Sequence, residues 1–266
     1  MRFTKMQGAG NDYVYVDCTH DVPPDLPVLA RAISDRHFGV GSDGLICIYP
    51  SEKADFRMRM FNADGSEGEM CGNGIRCVGK FVYDKGLTRK TELTIETLAG
   101  IKHLILSVMN GQVESVTVDM GVPRHEEART VTYQGKEYRG LPVSMGNPHF
   151  VVPVSDVKEF NLPLFAPLSV PNPAFRDGVN VEIAEVLAPD RILVRVWERG
   201  SGETLACGTG ACAALVAAVL EGKAERTATV QLLGGDLSIR WDEESGHIFM
   251  TGPAVTVFEG EWANHR

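Results

Sequence analysis

The stretches EMCGNGIRC, residues 69–77, and TLACGTGAC, residues 204–212, decide how this chain is read. Each sets a cysteine before Gly-x-Gly, follows it with a second cysteine, and opens an apolar run with helical spacing. An offset of 136 residues carries Cys71 onto Cys207, Gly72 onto Gly208 and Gly74 onto Gly210. Upstream it carries Arg59 onto Arg195, Glu67 onto Glu203 and Asn11 onto Asn147; downstream it carries Gly86 onto Gly222. One gapless offset across that length reads as a duplication, and a duplication governs every later assignment.

Both halves read alike around the anchor. DYVYVD (12–17) and HFVVPV (149–154), then FRMRMF (56–61) and ILVRVW (192–197), carry continuous or alternating apolar residues and predict strands. A Gly-rich loop, the cysteine and a helix follow in each case. The helices are expected over 72–85 and 208–221, each stopped by glycine in the usual C-terminal position. ELTIET (92–97) and TATVQLL (227–233) return to strand. These patterns predict a mixed α/β (α+β) chain of two similar lobes, 1–120 and 121–253. The boundary is expected in the Pro-, Arg- and Glu-rich connector around Gly121 to Gly140.

Composition sets the outer bounds. The chain has 266 residues, enough for one large domain or two of about 130. A net charge of −9 argues against nucleic acid and against anionic membrane surfaces, both of which attract cationic proteins. The apolar run ACAALVAAVL (211–220) is about half the length of a membrane span and is read as a buried core helix. The N-terminal residues MRFTKMQGAGND lack the apolar core of a signal peptide, so the six cysteines are expected as reduced thiols in a cytoplasm.

A cysteine just before a helix lies near the positive end of the helix dipole, which favours the thiolate. The backbone N–H groups of GNG and GTG can hold a carboxylate, and glycine lets the ligand come close. Two such thiols facing one carbon suit removal of a proton from one face and its return to the other, which makes a racemase or epimerase that needs no cofactor. The same N–H groups would stabilise the developing enolate, where one preorganised donor is worth about 2.7–4 kcal/mol. Cys18, Cys47, Cys77 and Cys212 are read as small core hydrophobes. Metal binding fits poorly: neither Cys71/Cys77 nor Cys207/Cys212 has the CxxC spacing of common zinc sites. The glycine-rich stretches match neither a phosphate loop nor a full GxGxxG.

KMQGAGND, FNADGSEGEMCGNGIRC, SMGNPH, GVNVE, WERGSGETLACGTGACA and MTGPAVTVFEGE together resemble the diaminopimelate epimerase family along essentially the whole chain. The resemblance implies interconversion of L,L- and meso-diaminopimelate, on the path to lysine and cell-wall precursors, without metal, PLP or nucleotide. It implies two pseudo-symmetric lobes, each a central helix wrapped by mostly antiparallel sheet, with the active site in the cleft between them. The C-terminal strand, 254–266, would join the first lobe.

Carried over, Cys71 and Cys207 would be the paired base and acid. Gly72-Asn73 and Gly208-Thr209 would hold the α-carboxylate. Asn11, Asn62, Asn147, Asn180, Glu198 and Arg199 would make the remaining polar contacts, and His149 with Glu198 would tune the cysteines. The offset pairs Asn62 with Glu198, so equivalent positions would carry different polar groups, as an unsymmetrical diamino diacid requires. Three positions depart from the family pattern: Gln7 where many relatives have His, Tyr13 where Phe is usual, and Gly44 where some carry a substrate-contacting glutamine. A homodimer is common among such relatives. Another cofactor-independent amino-acid racemase of the same superfold, a non-catalytic amino-acid-binding protein and a phenazine-type isomerase are the rival readings.

Overall fold

The computed structural model describes residues 1–169, 175 and 178–263, so the last three residues of the expected C-terminal strand lie outside the described residues. Two compact units emerge: Met1–Val118 joined by the C-terminal segment from Gly252, and Asp119–Thr251. The stretch read as the connector holds two short strands, Arg124–His125 and Arg129–Tyr133.

In the first unit, strands Arg2–Gly8 and Asn11–Asp17 form an antiparallel pair. Helix α1 (Leu26–Ser34) follows, then strands Gly44–Tyr49, Phe56–Asn62 and Glu67–Gly68, then helix α2 (Gly72–Asp84), then strands Glu92–Thr97, Gly100–Met109 and Gln112–Gly121, the last of which runs past the unit's limit at Val118. The second unit repeats this order with Lys136–Ser144, Pro148–Pro153, helix α3 (Leu162–Ser169), Asn180–Ala188, Arg191–Glu198, Gly202–Thr204, helix α4 (Gly208–Leu220), Thr227–Leu232, Gly235–Trp241 and Ile248–Pro253. Strand Val255–Glu261 runs antiparallel beside Arg2–Gly8 in the first unit.

Register carries the duplication further than sequence identity does. Asn11–Asp17 runs parallel to Gly44–Tyr49 with Tyr13 opposite Gly44, and Pro148–Pro153 runs parallel to Asn180–Ala188 with His149 opposite Asn180. Adding 136 to the first pair gives the second. Phe61 faces Glu67 just as Trp197 faces Glu203. The identical residues noted upstream of each cysteine prove to be ion pairs. Arg59 donates to Glu67 at 2.7 and 2.9 Å, and Arg195 donates to Glu203 at 2.6 and 3.1 Å. Each bidentate pair clamps the hairpin that leads into the cysteine.

The central helices α2 and α4 are each inside their own unit. α4 packs against strands 136–144, 148–153, 180–188, 191–198, 227–232 and 235–241, and Ala211 to Ala218 are all buried. Surrounding sheet leaves little room for side chains, which accounts for its alanines. Both helices end on a left-handed glycine, Gly86 at φ 74° and Gly222 at φ 68°, where a side chain would be strained. α1 and α3, which occupy equivalent places, complete a second apolar cluster in each unit. In the first, Leu26, Leu29, Ala30 and Ile33 pack with Val14, Leu45 and Phe61. In the second, Leu162, Phe165 and Ala166 pack with Phe150, Val181 and Ile183. No helix among the described residues is long and apolar enough to cross a membrane.

Candidate active site

Cys71 and Cys207 occupy the same local position, the N-cap of a 13-residue helix, with φ/ψ of −129°/119° and −121°/114°. The β conformation of the cap turns each side chain back over the first helical turn. At Cys71 the Gly74 N–H donates to Sγ at 3.3 Å, and Sγ donates to Asn11 Oδ1 at 3.1 Å. Asn11 in turn donates from Nδ2 to Asp43 Oδ2 at 2.7 Å, which fixes its amide. Tyr13 belongs to this group too. Burial, then the charges of Cys71 and Asp43, push its hydroxyl well above its ordinary pKa.

The glycine stretch behind Cys71 is braced by Arg76. This fully buried guanidinium donates to Gly72 O at 3.3 Å and Asn73 Oδ1 at 3.0 Å through Nη1, and to Pro253 O at 3.2 Å through Nε. The Asn73 side chain is therefore spent on the helix start. Asn62 donates to Ser66 Oγ at 3.0 Å and so closes its own hairpin turn.

The second unit gathers more of the expected residues. Cys207 is 6 % exposed, and its Sγ lies 3.4 Å from Thr209 Oγ1. Asn147 donates to that hydroxyl at 3.2 Å, while its Oδ1 faces His149 Nε2 at 3.1 Å. Asn180 Oδ1 accepts from the Arg199 backbone N–H at 2.8 Å and so holds the start of the loop after Glu198. Glu198 accepts from Thr204 Oγ1 at 2.6 Å. Burial raises the pKa of the Glu198 carboxyl against that hydrogen bond, with Glu182 adding to the rise. Burial, then the carboxylates of Glu198 and Glu182, push the Cys207 thiol well above its usual value, while Thr209 opposes them.

Three neighbours of the cysteines stood outside the expected set: Tyr13, Asp43 and Glu182. Glu182 is fully buried with Oε1 2.6 Å from His149 Nδ1. Its counterpart at the 136-residue offset is Ile46. The helices register the same substitution. An added Cβ at Gly74 would meet Ile46 Cδ1 at 2.7 Å, and one at Gly210 would meet Glu182 Oε1 at 2.6 Å. Of the departures, Gln7 caps its own turn by accepting from Gly10 N at 2.9 Å. Gly44 leaves no room for a larger residue, since a Cβ there would lie 2.1 Å from Phe61 O. Among the described residues, no group of three or more His, Cys, Asp or Glu is placed to hold a metal ion.

The arrangement offers two thiols, each at a helix start, with amides and hydroxyls close by and carboxylates beside one of them. That is equipment for moving protons. A family model described as diaminopimelate epimerase matches residues 3–126 and 141–257. The diaminopimelate epimerase of Acetivibrio thermocellus is 55 % identical over 98 % of this chain and 98 % of its own. Among solved structures, a Bacillus anthracis phenazine biosynthesis protein of the PhzF family superposes with a TM-score of 0.76 at 21 % identity, covering 99 % of both chains. A hydroxyproline epimerase from Agrobacterium vitis does so with 0.75 at 17 % identity, covering 98 % of this chain and 90 % of that one. Identities this low speak to fold alone.

Proposed function

The chain belongs to the diaminopimelate epimerase family, and we propose that it interconverts L,L- and meso-2,6-diaminopimelate by a two-base reaction carried by Cys71 and Cys207. The observation that carries the mechanism is the shared N-cap position of the two thiols. In the reaction one cysteine, as thiolate, takes the α-proton and becomes a thiol. The electron pair moves into the α-carboxylate as an enediolate. The other cysteine, as thiol, delivers its proton to the opposite face and becomes the thiolate. Protons and charge balance, so neither metal nor cofactor is required. The mechanism demands that both thiols reach the same α-carbon.

The helix starts at Gly72-Asn73 and Gly208-Thr209 hold the carboxylate through backbone N–H groups, where the dipole favours the charge that develops. Arg199 suits the distal carboxylate because a guanidinium binds such a group through two parallel bonds. Glu198 suits an ammonium group, with Asn11, Asn62, Asn147 and Asn180 supplying amide contacts. Binding an ammonium beside Glu198 would also offset the carboxylate charge that, after burial, holds Cys207 in its thiol form, coupling substrate arrival to thiolate formation. With that reaction we propose a place in lysine biosynthesis, a cytoplasmic setting and action as a homodimer. The test is conversion of L,L-diaminopimelate to the meso isomer, followed by chiral chromatography, with proline and hydroxyproline offered in parallel. Turnover of diaminopimelate, abolished by Cys71→Ser or Cys207→Ser, supports the reading. Turnover of proline or hydroxyproline alone would reassign the substrate.

A further inference from the structure

His149 is 1 % exposed, and its two ring nitrogens face different partners. Nε2 faces Asn147 Oδ1 at 3.1 Å, and Asn147 has its Nδ2 turned to Thr209 Oγ1. A carbonyl oxygen only accepts, so Nε2 carries hydrogen. Nδ1, 2.6 Å from Glu182 Oε1, then shares one proton with that carboxyl, on whichever atom it rests. Every later bond has its direction set from there. His149 donates to Asn147; Asn147, its oxygen occupied, donates from Nδ2 to Thr209. The Thr209 hydroxyl accepts from Asn147 and keeps its own hydrogen, so once Cys207 is a thiolate the 3.4 Å contact can only be Thr209 donating to Sγ.

We propose that Glu182 is a positioning residue which, through His149, fixes the direction of a hydrogen-bond relay from His149 through Asn147 and Thr209 to the thiol of Cys207. Its second oxygen, buried and without a hydrogen-bond partner among the described residues, is the cost of keeping a carboxylate there. A side chain held only for packing would be apolar, as Ile46 is at the equivalent position of the first unit. The first unit is built differently at the same positions: Tyr13 stands where His149 does, and Asn11 meets Cys71 directly. A relay ending in a donor favours negative charge on sulfur, so Glu182 acts on Cys207 in two opposed ways. Its charge, like that of Glu198, repels the thiolate, while its hold on His149 directs a hydroxyl hydrogen to it.

This role rests on the reading of Cys207 as an acid–base group, but its test needs no substrate. Iodoacetamide labelling of Cys207, followed by peptide mass spectrometry across pH, reports the thiolate directly. Asn147→Leu and Thr209→Val are each expected to slow labelling at fixed pH by about tenfold, Glu182→Ile by less because it also relieves repulsion, and the Glu182/Thr209 double variant by no more than Glu182→Ile alone. For Glu182→Ile the sign decides, because relief of repulsion alone would speed labelling. Unchanged or faster labelling in Glu182→Ile overturns the relay. Should that variant not fold, a difference in direction between Asn147→Leu and Thr209→Val overturns it equally. A protein that follows this labelling pattern yet turns over no diaminopimelate would sink the proposed function and leave the relay standing.

Discussion

Alanine at Gly210 and at Gly74 should part company, although both are third residues of matched helices. Replacing glycine by alanine inside a helix is worth about 1 kcal/mol on propensity alone. Against that stands the space each Cβ would enter. At Gly74 the nearest atom is Ile46 Cδ1 at 2.7 Å, the end of a flexible apolar side chain that can rotate away. At Gly210 it is Glu182 Oε1 at 2.6 Å, with Cys207 Cβ at 3.3 Å behind it. That oxygen has no slack, because it is bound to His149 at 2.6 Å inside a fully buried setting. Overpacking of a dense core costs about 1–3 kcal/mol. The upper part of that range applies at Gly210 and the lower part at Gly74. The net is a loss of about 1–2 kcal/mol for Gly210→Ala, or a melting temperature lower by about 2–8 °C, and near zero for Gly74→Ala. Urea and thermal unfolding followed by circular dichroism measure both. Equal effects at the two sites, or a Gly210→Ala protein as stable as wild type, would refute the account of the Glu182 pocket.

Three further outcomes follow from the geometry. Glu203→Gln breaks the bidentate pair with Arg195 and frees the hairpin before Cys207; a loss of about 1–3 kcal/mol is expected in urea unfolding, and Glu67→Gln should behave likewise at Arg59. Glu198→Gln removes a charge that disfavours the Cys207 thiolate, so iodoacetamide labelling of Cys207 should move to lower pH; a move to higher pH would contradict the electrostatics described. The cavity of about 300 Å³ lined by Val151, Ala214, Ala217 and Ala218 lies where the first unit stacks Tyr15 on Phe81, the residues equivalent to Val151 and Ala217. Ala217→Leu should therefore stabilise by about 0.5–2 kcal/mol, read as a raised melting temperature.

The duplication was legible because it rests on residues whose roles allow no exchange: the capping cysteines, the left-handed glycines that end the helices, and the Arg–Glu clamps. The central helices and their flanking strands followed from it, and most of the amides and charges near Cys207 were named from motifs. α1 and α3 were not read from sequence. Pro27 in LPVLARAIS, and Pro163 and Pro167 in LPLFAPLS, argue against helix; Pro27 and Pro163 fall in the first turn, where proline costs little, whereas Pro167 lies inside α3, whose Leu162, Phe165 and Ala166 are buried in the apolar cluster. The Asp25 carboxylate also caps α1 by accepting from Val28 N at 3.2 Å. Glu182 escaped for a different reason. Alternation would turn it to solvent, but its strand pairs in parallel with Pro148–Pro153, and Asn180 to Ala184 are buried on both faces. Burial on both faces likewise placed Tyr13 beside Cys71.

The central claim, that two cysteine thiols exchange protons on opposite faces of one carbon, is tested most directly by the fate of hydrogen in D₂O. L,L-diaminopimelate would be incubated with the reduced protein and followed by proton NMR during the first few per cent of conversion. The account predicts deuterium at the inverted α-carbon of the meso product, while the remaining L,L isomer keeps its hydrogen, because the base that removes the proton differs from the acid that returns one. Meso product that retains the original hydrogen would mean a single base working on both faces and would contradict the account.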